Sequence, residues 1–286
     1  MIPAAFDYIA PETVGDAIAA LGSEAEEIKV LAGGQSLLPV LRLRLAAPTL
    51  VVDLGRIPEL SGISEDGDAI VIGAMTTHDE VSSSPAVAEH AAVLGKAAST
   101  VADPQVRHRG TLGGALVHAD PAGDMPAPVL ALDAELVVAG PDGERTVPAA
   151  EFFEDLFTTA VGENELLIKI RVPKHTGWRG HYEKFTRVAQ QWSIVAVAAA
   201  VKTDGKTISG AKLALTNMGS TAIRATAVEQ ALIGQPASAD VVKAAAAQAA
   251  AGTNPPTDTN GTAGYRRHLA TVLTGRAVLS AAGATG

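Results

Sequence analysis

Short apolar runs alternate with polar, turn-forming segments through the first half of the chain, and the period of the apolar residues changes from run to run. Val14, Ala17, Ile18 and Leu21 recur at helical spacing behind the capping signal Thr13-Val14-Gly15-Asp16, and Gly22 offers a stop. Ile28-Lys29-Val30-Leu31 then reads as a strand, Leu37 to Leu45 as a helix and Leu50 to Leu54 as a second strand. Ala69 to Ala74 is a further strand, and Thr77-His78-Asp79-Glu80 caps a turn ahead of a longer helix from Ala86 to Val101. Asp124 to Leu132 fits a helix, while Ala134 to Ala139 and Leu166 to Val172 read as strands, the first closed by the turn Pro141-Asp142-Gly143.

The pattern changes at the turn-rich connector Pro173-Lys174-His175-Thr176-Gly177. Beyond it, His181 to Val188, Ser193 to Lys202 and Thr207 to Asn217 read as antiparallel strands, the last two joined at Asp204-Gly205. Alanine-rich helices follow over 225–233 and 239–250, Pro255-Pro256 breaks the chain, and a last helix contains Tyr265 to Leu279. This order predicts an α+β protein of two domains. The first spans 1–175, in lobes of about 1–55 and 56–175, and the second spans 176–286, with a three-stranded antiparallel sheet and helices.

A chain of 286 residues with 47% hydrophobic and 19% charged residues can bury a sizeable core. The formal charge of -9, with only 22 Lys plus Arg spread along the sequence, argues against a nucleic-acid partner, which needs a concentrated basic face. There is no cysteine, which excludes disulfides, thiolate nucleophiles and any iron–sulfur cluster held by this chain. The N-terminus lacks a basic stretch followed by an apolar one, and no membrane-spanning apolar run occurs, so a soluble cytosolic protein is expected.

Candidate chemistry centres on two glycine-paired loops, Ala32-Gly33-Gly34-Gln35-Ser36 and Thr111-Leu112-Gly113-Gly114-Ala115. A glycine pair removes two Cβ atoms and permits positive φ, so consecutive N–H groups can point at one anion. Two such loops suggest a diphosphate clamp, with Gln35, Ser36 and Thr111 adding side-chain donors, and a Cβ at Gly33 or Gly113 would intrude where the diphosphate approaches. The Gly-x-Gly-x-x-Gly and Walker fingerprints are absent, and Ser36 lacks the Gly-x-Ser-x-Gly setting of a hydrolase nucleophile. His78, His108 and His118 fit no helix-borne ligand pair, so no metal is assigned. Asp124 either accepts hydrogen bonds from a ligand or caps a helix. Lys184 reads equally as a solvated strand-edge residue, and Trp192 as an apolar anchor or a ring-stacking group.

Three segments, Val30 to Leu37, Gly73-Ala74-Met75-Thr76-Thr77-His78 and Arg109-Gly110-Thr111-Leu112-Gly113-Gly114, resemble the FAD-binding medium subunit of the molybdenum hydroxylase (xanthine dehydrogenase) family. His118 to Asp124 and Tyr265-Arg266-Arg267-His268-Leu269 extend the resemblance over essentially the whole chain, and its nearest likeness is to carbon monoxide dehydrogenase medium subunits. The resemblance implies a two-lobed, vanillyl-alcohol-oxidase-like (PCMH-type) FAD-binding domain followed by a small α/β domain. Ala32, Gly33, Gly34, Gln35, Ser36 and Leu37, with Thr111, Gly113, Gly114 and Ala115, would then hold the FAD diphosphate, with Thr77 beside them. Asp124 and Lys184 would contact the ribityl or flavin end, Leu167 would line the cofactor, and Trp192 would lie against the isoalloxazine ring.

It also implies an electron-transfer role beside a large molybdenum-cofactor subunit and a small subunit with two-iron iron–sulfur clusters, in a dimer of heterotrimers that serves an external electron acceptor. No residue here is expected to be catalytic toward the primary substrate. That substrate would be carbon monoxide, with purines, aldehydes or N-heterocycles as alternatives; a stand-alone flavin oxidase and a scaffold without FAD are different readings. Localisation would be cytoplasmic, with peripheral membrane contact through the acceptor as an option. Two positions depart from the pattern, Ala115 where many relatives carry asparagine and Gln35 where some carry histidine. The lack of cysteine excludes the extra iron–sulfur insertion of the hydroxybenzoyl-CoA reductase branch.

Overall fold

A computed structural model of the protein describes residues 2–284. Three short parallel strands open the fold, in the order Asp7–Ile9, Leu50–Asp53, Ile28–Leu31. Their crossovers carry the helices Val14–Leu21 and Leu37–Arg42, the first capped by the Thr13 hydroxyl, which accepts from the Asp16 N–H at 3.1 Å. The second helix stops at Arg42, short of Leu45, and the chain turns at Arg44 with φ 56°.

A five-stranded antiparallel sheet follows, ordered Ile63–Asp66, Ala69–Gly73, Leu166–Pro173, Glu135–Gly140, Gly143–Pro148. Its three inner strands are buried on both faces because each face meets a different partner, while the edge strands Ile63–Asp66 and Gly143–Pro148 are mostly exposed. Leu136 and Val138 enter the large core with the helices, whereas Val137 and Ala139 meet Ala17, Val52 and Leu54 of the parallel layer. The strand Leu166–Pro173 shifts register between Leu167 and Lys169. That bulge reverses the alternation, so Leu167 shares the large core with Ile170 and Val172 while Leu166 and Ile168 face the other way.

The helix expected over 86–101 is two helices, Pro85–His90 and Ala92–Ser99, broken at Ala91, whose φ is −143°. The sheet of the second half has four strands, where three were expected: Arg179–Phe185, Val195–Asp204, Thr207–Thr216 and the two-residue Ile223–Arg224. On Val195–Asp204, Ala196, Ala198 and Ala200 face the core of the first half, while Val195, Val197 and Val201 meet the helices of the second. Small side chains on one face let the two halves approach closely. The long helix Ala263–Ala282 closes the second core, and Gly283 ends it in the left-handed region at φ 71°.

Candidate flavin cleft

The strand Ile28–Leu31 delivers the chain into the loop 32–36, where Gly34 holds φ 75° before the helix Leu37–Arg42 begins. Positive φ within such a run gathers successive amides into one concavity. The N–H groups of Gly33, Gly34, Gln35, Ser36 and Leu37 donate to no other group among the described residues; the first bond of the turn is Leu38 N–H to Gly34 O at 3.0 Å. Five successive amides are therefore available to an anion. The Ser36 hydroxyl makes no capping bond and adds a further donor.

The second loop behaves differently from the expected clamp. Leu112 donates to Thr76 O at 2.9 Å, Gly113 to Ala74 O at 2.8 Å and Ala115 to Thr111 O at 3.1 Å. The Gly114 N–H goes to the Thr111 hydroxyl at 3.1 Å, which caps the helix Leu112–His118. The amides of residues 112–115 are thus consumed within the protein, and this loop contributes shape. Its glycines are required by protein packing. A Cβ on Gly113 would stand 2.6 Å from Ala74 O, and one on Gly33 would stand 2.1 Å from Arg109 O. Gly33 therefore seats the first loop on the approach to the second, and the reason to expect glycine is contact between loops, not room for a diphosphate.

Together the loops floor a cleft of about 930 Å³ that runs on between the two halves of the chain. That is at the large end of ligand cavities. Ala32, Gly33, Gly34, Gln35, Ser36, Leu37, Thr111, Gly113, Gly114, Ala115, Asp124, Leu167, Lys184 and Trp192 all line it. Thr77 does not: its hydroxyl donates to the Glu80 carboxylate at 2.7 Å within a capping box on the helix His78–Ser83. Its neighbour His78 lines the wall in its place.

Asp124 is not a helix cap; the helix Pro126–Ala131 starts beyond it at Met125. Its buried carboxylate accepts from Lys184 Nζ at 2.7 Å, from Tyr182 Oη at 2.9 Å and from Ser193 Oγ at 2.9 Å. Burial pushes the Asp124 carboxyl above its ordinary value, and the Lys184 ammonium, Ser193 and Tyr182 pull it back. Burial, and then the Asp124 charge, hold the Tyr182 phenol well above its ordinary value. Lys184 is not solvated: its side chain is 8% exposed and Nζ also donates to Thr100 O at 3.1 Å. An ion pair in the wall of the cleft thus spans the two halves. Trp192 lines the cleft and is 54% exposed, so it is no core anchor, and the nearby Gln190 donates to Asp103 at 3.1 Å.

Tyr182 and Ser193 were missed in the sequence, and His78 was weighed there only as a metal ligand. Tyr182 and Lys184 sit two apart on one strand and so share a face, a signal that the spacing alone contained. Ser193 and His78 carried no such signal, because their partners and surroundings come from distant segments.

The family of FAD binding domains in molybdopterin dehydrogenases matches residues 4–175, and the carbon monoxide dehydrogenase flavoprotein C-terminal domain matches residues 180–281. The chain belongs to this flavoprotein family. It is 43% identical to the carbon monoxide dehydrogenase medium chain of Hydrogenophaga pseudoflava, over 98% of each chain. It is 36% identical to the glyceraldehyde dehydrogenase medium chain of Sulfolobus acidocaldarius, over 97% of this chain and 98% of the relative. The structure of the Hydrogenophaga pseudoflava carbon monoxide dehydrogenase lacking the Mo-pyranopterin moiety superposes with a TM-score of 0.94 at 45% identity, covering 99% of this chain and 98% of the other. These matches carry the two-domain FAD-binding architecture onto the chain, with its mixed helices and sheets.

Proposed function

We propose that the chain binds FAD noncovalently in the cleft and serves as the electron-transfer subunit of a molybdenum-containing carbon monoxide dehydrogenase. The observation that carries this reading is the row of unpartnered amides from Gly33 to Leu37 at the floor of a dinucleotide-sized cleft. Those donors fit a diphosphate, and no lysine or metal is needed to offset its charge. In this reading Ala32 to Leu37 hold the linker, Thr111, Gly113, Gly114 and Ala115 shape the wall behind it, and Leu167 supplies an apolar surface. The Asp124–Lys184 pair offers a fixed charge and donor in the cleft wall, and Trp192 presents an exposed ring.

When bound, FAD supplies the chemistry of accepting electrons from partner iron–sulfur clusters and releasing them to an external acceptor. The chain's own residues bind, orient and shield it. Because the chain has no cysteine, the clusters belong to another subunit. The proposed partners are a small iron–sulfur subunit and a large molybdenum-cofactor subunit, in a dimer of heterotrimers. Among the described residues no helix is long and apolar enough to cross a membrane. The proposed site of action is the cytoplasm, with membrane contact only through the acceptor.

Carbon monoxide is favoured as the primary substrate by the 43% identity to a chain of that name. The 36% identity to a glyceraldehyde dehydrogenase medium chain supports aldehyde oxidation as the second reading. Two measurements test the proposal. The purified chain should carry flavin absorption bands that acid releases as FAD in a one-to-one ratio, and a colourless chain that takes up no FAD would defeat it. The assembled complex should reduce a dye with carbon monoxide; activity with aldehydes alone would select the second reading.

A further inference from the structure

The wall of the cleft contains one buried titratable side chain that the assignments above do not use. His78 is 4% exposed, and Nδ1 is fully enclosed without a hydrogen-bond partner. No side-chain hydrogen bond to Nε2 is present among the described residues either. An enclosed Nδ1 without a partner costs less as a bare acceptor than as an unpaired N–H, which places the proton of a neutral ring on Nε2. The ring is held in place from behind, since the His78 N–H donates to Gly110 O at 2.9 Å and Thr77 pairs with Thr111.

Its position relative to the two loops is specific. A Cβ on Gly110 would lie 3.0 Å from His78 Cδ2 and 3.3 Å from Nε2, so glycine at 110 is what leaves space beside the Nε2 edge of the ring. Gly110 is also the residue on which Gly33 packs, a Cβ there standing 2.7 Å from Gly110 Cα. His78, Gly110, Gly33 and Gly34 all line the same cleft. The imidazole therefore packs against Gly110, the residue on which Gly33 rests, and shares the cleft wall with the loop that carries the unpartnered amides.

We propose that His78 is a direct hydrogen-bond donor, through Nε2–H, to the diphosphate linker of the bound dinucleotide. This rests on the reading of the cleft as an FAD site. A neutral ring suits the task, giving one directed donor to a phosphate oxygen at a place already supplied with amides. Burial, and then the nearby Arg107 charge, hold the His78 pKa down to about 4, so the ring is neutral at physiological pH.

The test is titration of the flavin-stripped chain with FAD, ADP and riboflavin by calorimetry, for wild type and for His78→Leu, His78→Gln and His78→Asn. Glutamine places an amide near the Nε2 position, whereas asparagine reaches only as far as Nδ1. Expected is a loss of at least tenfold in affinity for both FAD and ADP in the Leu and Asn variants, with Gln within threefold of wild type and riboflavin binding unchanged. Should the Leu variant fail to fold, the Gln and Asn pair decides by the same criterion. FAD and ADP affinities within twofold of wild type in a natively folded Leu or Asn variant would overturn the proposal, as would Gln weakened as much as Asn. Failure of the wild-type chain to bind FAD at all would instead remove the FAD reading, so the two failures are distinguishable.

Discussion

Among the described titratable side chains of the cleft, His78 is the one buried without a hydrogen-bond partner, and that has a thermodynamic signature. Its folded-state pKa of about 4 lies below the ordinary value of 6.5, so between these pH values the unfolded chain takes up a proton that the folded chain refuses. The stability from this residue is whole above about pH 6.5 and is lost as the pH falls toward 4. At 1.36 kcal/mol per pKa unit the loss approaches roughly 3 kcal/mol. Urea unfolding at pH 7 and pH 4 should therefore show His78→Asn gaining about that much relative to wild type on acidification; a constant difference across the range would contradict the buried neutral ring. Asp124 and Lys184 carry a second prediction. Removing one partner strands a buried charge, so Lys184→Met should lose about 3–5 kcal/mol of stability. The double variant Asp124→Asn with Lys184→Met should lose clearly less than the sum of the singles, and additivity would show the pair to be uncoupled.

At the scale of the element, the two glycine loops look alike in sequence and do different things. Both were legible as special only jointly, since a lone glycine pair mostly makes a turn, and the second pair proves to lie inside the helix Leu112–His118. What the sequence could not reveal was the accounting of amides. Leu112 and Gly113 spend theirs on Thr76 and Ala74, a segment that approaches only in the folded chain, and Gly114 and Ala115 spend theirs on Thr111 within the same helical turn. Nor could it show that Gly33 faces Arg109 O. Gly33→Val should accordingly lower the thermal midpoint of the flavin-free chain and impair FAD uptake, since the Cβ meets backbone. Gly34→Ala, at φ 75°, should cost about 1–2 kcal/mol and leave the loop contact intact. A Gly33→Val chain with wild-type melting and no flavin would restore the simpler idea that the glycine only makes room for the ligand. The break at Ala91 escaped notice for a related reason: alanine is a strong helix former, and the break is imposed by packing rather than by local preference. The two-residue strand Ile223–Arg224 is too short for any periodic signal.

For the whole molecule, the alanine-rich strand Val195–Asp204 is the joint between the halves. Its alternation of alanine and valine was readable as a strand, but why one face is small became clear only when both faces proved to be covered. Ala198→Leu should therefore overpack the joint and destabilise the protein by about 1–3 kcal/mol. Reporters in both halves should melt together if the joint is shared; an unchanged thermal midpoint would mean that the interface has slack. The same joint fixes where Lys184, Tyr182 and Ser193 meet Asp124. The family was legible from the motif text, while the geometry of the ion pair depended on residues some 60 positions apart in the chain.

The central claim is that an anionic dinucleotide linker is gripped by the main chain of residues 33–37. The most direct measurement is a crystal structure of the chain soaked with FAD. Expected are diphosphate oxygens within about 2.7–3.2 Å of the N–H groups between Gly33 and Leu37. Density for the diphosphate elsewhere in the cleft, with those amides facing water, would contradict it.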